Sequence, residues 1–235
     1  MLDHCARASR WQRTRRLHQP CFKTPTSALK IHGPAYPFER YADDLICHCR
    51  SAEEARALRS ALEARITACR LVLHPQKTKL VYCKDTNRRG DFPDQSFDFL
   101  GYRFRPRLAI WHGSQYGVSF LPAASPKALK AIGQTIRRWR LHHRSDKALN
   151  DLARIYNPYI RGWINYFSHF YKSALTAILR RIDTFLIRWA RNKFKRLRQR
   201  PKGARDWLAR MIRVNPNLFA HWGFLHVNSR TSGAV

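Results

Sequence analysis

The 235-residue chain predicts an α+β fold, with a small antiparallel β region and one helix followed by an all-helical bundle. Two patterns and one charge boundary carry that prediction. Up to about residue 120, short β-rich runs alternate with turn residues, whereas after Ser125-Pro126 the apolar residues recur at helical spacing. Charge changes at the same place: residues 34 to 124 hold 14 basic and 10 acidic side chains, residues 125 to 235 hold 24 and 4. We set the boundary at Pro122 to Pro126. The expected organisation is an irregular basic head over 1–33, a mixed segment over 34–124, a helical segment over 125–224 and a tail over 225–235.

The head shows no period and ends in His32-Gly33-Pro34. FERYADDLICHC, residues 38–49, sets an acidic pair between apolar runs and predicts strand, tight turn, strand. Ser51-Ala-Glu-Glu54 fits a capping box, and Ala55, Leu58, Leu62, Ile66 and Cys69 predict an amphipathic helix to about Arg70. Further strands are expected at Thr78–Cys83 and Phe97–Phe104, with a hairpin over Leu108–Phe120. Ser125 caps and Pro126 starts a helix marked by Leu129, Ile132, Ile136 and Trp139. Asp146 opens the next helix, Asn157-Pro158 breaks it, and Tyr159, Trp163, Phe167 and Phe170 continue the pattern. The longest helix is expected from Ala174 to about Gln199, on the stripe Leu175, Leu179, Ile182, Leu186 and Trp189.

Lys and Arg number 45 against 15 Asp and Glu, a formal charge of +30. Such a field implies a polyanionic partner, and nucleic acid leads because neutralising phosphates releases condensed counterions. No apolar run reaches membrane-spanning length, and the head lacks the apolar stretch of a secretory signal, so no membrane partner is expected. The six cysteines form no C-x-x-C pair and read as reduced thiols in a cytoplasmic protein. His142-His143 and Cys47-His48-Cys49 lack a second ligand pair at zinc-like spacing and read as structural.

Tyr41-Ala42-Asp43-Asp44 is the sharpest chemical signal. Adjacent carboxylates in a hairpin turn supply oxygen ligands for hard divalent cations such as Mg2+, although an isolated Asp-Asp is equally at home in an exposed turn. Context favours chemistry. RYADDLICHCRSAEEA, LVLHPQKTKLVY and FDFLGYRF, in that order, resemble successive palm segments of a group II intron reverse transcriptase/maturase. The resemblance implies metal-binding and catalytic roles for Asp43 and Asp44, a nucleotide and primer region at Tyr41, Ala42 and Lys77, and a primer grip at Phe99-Leu100-Gly101. It also implies an earlier palm strand with another metal-binding aspartate and a finger region, and neither is recognisable before Tyr41. A truncated protein, or one assembled with a complementing N-terminal fragment or as a homodimer, is therefore expected.

NPYIRGWINYFSHFYKSAL and RRIDTFLIRWARNKFKR resemble the maturase region of the same family, which serves as thumb and intron-RNA-binding surface. The resemblance spans about residues 36 to 224. Ten basic residues lie between Arg180 and Lys202, and Arg161, Arg180, Arg181, Arg188, Arg191, Lys193, Lys195 and Arg196 are the expected RNA contacts. Trp163, Phe167 and Phe170, at helical intervals, read as packing. The implied function is that of an intron-encoded RNA-directed DNA polymerase and maturase, acting on group II intron RNA, target DNA and dNTPs. The alternatives are an RNA-binding maturase remnant without polymerase activity and a nonfunctional mobile-element fragment.

Overall fold

The structure is a computed structural model and describes residues 36–88, 90–110 and 116–231. The expected irregular head lies outside the described residues. The chain divides into two compact units, Met1–Leu80 and Val81–Val235.

In the first unit, β1 (Phe38–Tyr41) and β2 (Asp44–Cys47) form an antiparallel hairpin in the register Phe38↔Cys47 to Tyr41↔Asp44. Helix α1 (Ala52–Ala68) follows. The Glu54 N–H donates to Ser51 Oγ at 3.2 Å, and Glu54 Oε2 in turn accepts the Arg50 N–H at 2.9 Å. This variant of the capping box serves two of the backbone donors at the helix start. Of its apolar stripe Leu58 is buried, and Leu62 and Ile66 are half-buried.

The second unit opens with a three-stranded antiparallel sheet, β3 (Phe97–Phe99), β4 (Tyr102–Ile110) and β5 (Tyr116–Ala124), in the order β3-β4-β5. Helices α2 (Pro126–Arg138), α3 (Leu149–Phe167), α4 (Ser173–Lys193), α5 (Pro201–Val214) and α6 (Ala220–Thr231) follow, with single 3-10 turns at Leu141–His143 and Lys195–Leu197. As expected, Ser125 caps α2, its Oγ accepting the Ala128 N–H at 3.1 Å, and Pro126 occupies the first turn, where a missing N–H is harmless.

Helix α4 carries the core. Leu175, Leu179, Ile182, Leu186 and Trp189 are all essentially inaccessible, and they pack in one cluster with Ile132 and Ile136 of α2, Leu152 and Ile160 of α3, and Phe219 and Trp222 near the C-terminus. Full burial of one such side chain is worth about 1.5–3 kcal/mol. Gly133 lets α2 approach α4 closely: a Cβ there would lie 3.1 Å from Ile178 Cδ1 and 3.3 Å from Arg181 Nη1.

Five expectations need correction. Phe97–Phe104 is two strands, because Leu100 (φ 49°) and Gly101 (φ 78°) reverse the chain in a tight turn between Phe99 and Tyr102. Thr78–Cys83 forms no strand; the Tyr82 N–H bonds to Asp94 O at 2.8 Å, and its ring packs on Phe92 with centroids 4.5 Å apart. That segment is held by a folded loop, not by a ladder partner. Helix α3 starts at Leu149, where Asp151, not Asp146, accepts the Ala148 N–H at 3.1 Å, and it continues through Asn157-Pro158. Buried packing on both sides of the proline, at Tyr156 and Ile160, outweighs the one lost backbone bond. Finally, α4 ends at Lys193, not near Gln199, because Phe194 turns extended (φ −105°, ψ 113°) and its ring packs against Trp207.

Candidate functional site

The acidic pair sits at the tip of the first hairpin. Tyr41 pairs with Asp44, so Ala42 and Asp43 form the two-residue turn. Ala42 takes φ 52°, the left-handed backbone that primed hairpin turns demand at their first position and that side chains other than glycine adopt at about 1 kcal/mol or more. Arg40 steadies the turn, its Nε donating to Ala42 O at 3.0 Å. Tyr41, Ala42, Asp43 and Asp44 are all exposed. The hairpin thus presents two successive carboxylates to solvent. Among the described residues no group of three or more His, Cys, Asp or Glu side chains converges on a metal position. Behind the turn, burial and then the Cys49 thiol push the half-buried Cys47 up to about 11. That keeps it protonated and a poor cation ligand at neutral pH.

Lys77, in the same unit, is exposed in the turn Pro75-Gln76-Lys77, where His74 O accepts the N–H groups of Lys77 (3.2 Å) and Thr78 (2.9 Å). Phe99-Leu100-Gly101 belongs to the second unit and forms the end of β3 and its turn. This turn is fastened on three sides. Tyr166 donates to Leu100 O at 2.7 Å, the Ser125 N–H donates to Gly101 O at 2.8 Å, and the Tyr102 hydroxyl donates to Tyr166 O. Burial, then Tyr166, push Tyr102 up to about 12, so it remains a donor. Gly101 is needed for its φ and not for space, since an added Cβ would meet Phe167 only at an ordinary 3.6 Å.

Helix α4 sorts its basic residues. Arg180, Arg181 and Arg188 are exposed, and at 3.6 residues per turn they share an arc about 100° wide opposite the apolar stripe. Arg188 also lies over the Phe185 ring, 5.6 Å from its centroid. Arg191 is tied to the backbone, with Nε and Nη2 donating to Arg198 O at 3.1 and 3.0 Å. Lys193 donates to Ser145 O at 2.9 Å and Lys147 O at 2.7 Å and sits 5.6 Å from the Trp189 ring centroid. Lys195 and Arg196 are exposed on the 3-10 turn, and Arg161 is exposed on α3 beside Gly162, around which space is open.

One basic feature escaped the sequence reading. Arg103, Arg105 and Arg107 alternate along β4 and so share one face. Arg103 forms a bidentate pair with Asp98 (2.6 and 2.9 Å), Arg105 is exposed, and Arg107 lies 4.8 Å from the Tyr171 ring centroid. Burial, then Arg105, lower the pKa of Arg107 from its ordinary value. The period-2 pattern in YRFRPR carried this signal, but only once the segment is divided at Gly101.

Residues 18–104 match the family described as reverse transcriptase (RNA-dependent DNA polymerase), and residues 129–207 match the group II intron maturase-specific domain. No curated protein and no solved structure matches the chain. No helix of the described residues is long and apolar enough to cross a membrane. The maturase-specific domain implies binding to intron RNA. The acidic hairpin and the turn after β3 fall within the first match, the basic face of α4 within the second. With both domains in the family's order, the chain belongs to the group II intron reverse transcriptases/maturases.

Proposed function

We propose that the chain holds intron RNA on the outer arc of α4 and the following 3-10 turn, and so assists splicing and mobility of its intron. The observation that carries this reading is the division of labour on α4. Arg180, Arg181 and Arg188 face solvent, whereas Arg191 and Lys193 are tied to backbone carbonyls. The exposed set, with Lys195, Arg196 and Arg161, supplies exposed cations that reach phosphates, and the tied pair holds the end of the helix. A cytoplasmic site of action agrees with Cys47, Cys49, Cys69 and Cys83 lying outside any disulfide. Replacing Arg180, Arg181 and Arg188 together by Gln is expected to flatten the slope of log affinity against log salt by about 2 for intron RNA, measured by filter binding. An unchanged slope would remove these residues from the interface.

A second reading, RNA-directed DNA polymerisation, is favoured by the acidic hairpin. Mg2+ is usually held by one or two carboxylates together with substrate phosphates and water, and Asp43 and Asp44 fit that donor set. A cluster of two ions needs a further shared carboxylate; among the described residues none converges with the pair, and a complementing fragment or a second copy of the chain is one source of it. When bound, the cation neutralises phosphate charge and acidifies the attacking hydroxyl. The chain's own part is to hold Asp43 and Asp44 at a stiff turn, with Tyr41 and Lys77 available to dNTPs and the Phe99–Gly101 turn to the primer. Target DNA is the further partner of this reading. Mg2+-dependent primer extension on an RNA template is expected to fall at least 100-fold in the Asp43→Asn/Asp44→Asn variant. Folded parent protein that extends no primer, alone or with an N-terminal fragment, would leave the RNA-binding maturase.

A further inference from the structure

A cavity of about 420 Å³ opens where the C-terminal end of α4 meets α5 and the first turn of α3. Its wall is aromatic. Trp189, Phe194 and the half-buried Trp207 of α5 line it, the Trp207 ring centroid lying 6.0 Å from that of Trp189 and 5.5 Å from that of Phe194. Met211 and Leu218 extend the apolar surface, and Val214 stands at the edge, 75% exposed. The rim is electropositive and carries amide groups. Lys193 lines it, Leu149 and Asn150 bring the N-terminal end of the 19-residue α3 to it, and Asn215 flanks it. The nearby Asp151 carboxylate is engaged by the Ala148 N–H and by Arg154 at 3.0 Å. Arg210 and Arg213 are exposed on α5 beside the lining residues Met211 and Val214.

Aromatic walls with a positive rim suit a group that is flat and apolar on its faces and anionic at one edge. We propose that this cavity receives one unpaired nucleotide of the bound RNA. Its base stacks against the Trp207 and Phe194 wall and its edge meets the Asn150 and Asn215 amides, while the Lys193 ammonium, still bonded to Ser145 O and Lys147 O, lends the mouth its positive charge. An asparagine amide both donates and accepts, as the Watson–Crick edge of a free base requires. A base in a duplex hides that edge and both faces, so the site distinguishes single-stranded loops and bulges from helices. The inference rests on the RNA-binding reading, but it uses residues off the outer arc of α4 and is separable from it.

The test uses the whole chain and two RNAs of one sequence, a continuous duplex and the same duplex with a one-base bulge carrying 2-aminopurine. Val214→Trp fills the mouth from an exposed position that the core does not use, and Trp207→Ala removes the wall. The parent is expected to bind the bulged RNA about tenfold more tightly than the duplex and to quench the 2-aminopurine. Val214→Trp is expected to abolish the preference and the quenching and to leave duplex affinity unchanged, the size expected for one lost base stack. Trp207→Ala should do the same, and circular dichroism reports whether that variant stays folded. A preference for the bulge that survives Val214→Trp overturns the proposal, as does equal parental affinity for the two RNAs; either result leaves the outer arc standing. Parent protein that binds neither RNA overturns the RNA-binding reading, and this inference with it.

Discussion

Ala42 and Leu100 each occupy the left-handed region that glycine fills most readily, and each forms a turn within a match to the reverse transcriptase family. A sequence reading finds Asp43-Asp44 by composition but not the strained alanine beside it, because Ala carries no turn signal. Gly101 did carry one, and taking FDFLGYRF as a single strand ignored it. Titration belongs to this scale as well. His142 has its Nδ1 buried without a hydrogen-bond partner, and its ring stacks on Phe185. Burial, then His143, Arg188 and Arg140, hold its pKa below the ordinary 6.5. Such an imidazole takes up its proton in the unfolded chain before it does so in the folded one. Its contribution to stability is therefore complete above about pH 6.5 and is lost as pH falls below that value. Urea midpoints compared at pH 7.5 and 5.5 are expected to drop less for His142→Asn than for the parent.

Among elements, the helix beginning at Ser125-Pro126 was legible because both signals are local: a hydroxyl for an orphan N–H, and a ring where an N–H is not needed. The continuity of α3 through Pro158 was not legible, since the contacts that hold it are distant in sequence. Asn157 Nδ2 donates to Leu218 O at 2.9 Å, and its Oδ1 accepts the Ala220 N–H at 2.9 Å. The same holds at the end of α4, where the five basic residues from Arg191 to Arg198 conceal which cations are structural. Lys193→Met is expected to lower stability by about 2 kcal/mol, the loss of hydrogen bonds from a charged donor, and Arg188→Gln to change it by less than about 0.5 kcal/mol. Chemical denaturation of the two variants makes the comparison. Equal effects would mean that Lys193 is no more structural than Arg188.

Across the whole molecule, burial is uneven. In the first unit the buried apolar side chain among the described residues is Leu58, whereas the second unit holds the α4-centred cluster. Local opening follows buried contact, so amides of α4 are expected to exchange hydrogen slowest and those of α1 and the acidic hairpin much faster, as read by exchange mass spectrometry. Protection of α1 equal to that of α4 would show the first unit stabilised by something its own burial does not supply. The charge contrast between residues 34–124 and 125–235 was visible in the sequence. Where the core would concentrate was only half visible, because α1 has nearly the same apolar period as α4 and yet, among the described residues, buries only Leu58. One long-range contact also reaches beyond this molecule. Asp183 accepts from Trp222 Nε1 at 2.8 Å and pairs with the fully buried His221 Nε2 at 3.0 Å, so one carboxylate serves two ring nitrogens nearly forty positions later in the chain. Among descendants of the same ancestor these three positions should then vary as a set. A lineage that replaces the acid must also replace the histidine and the indole, and covariation at these sites would be a record of folding, not of the RNA each lineage serves.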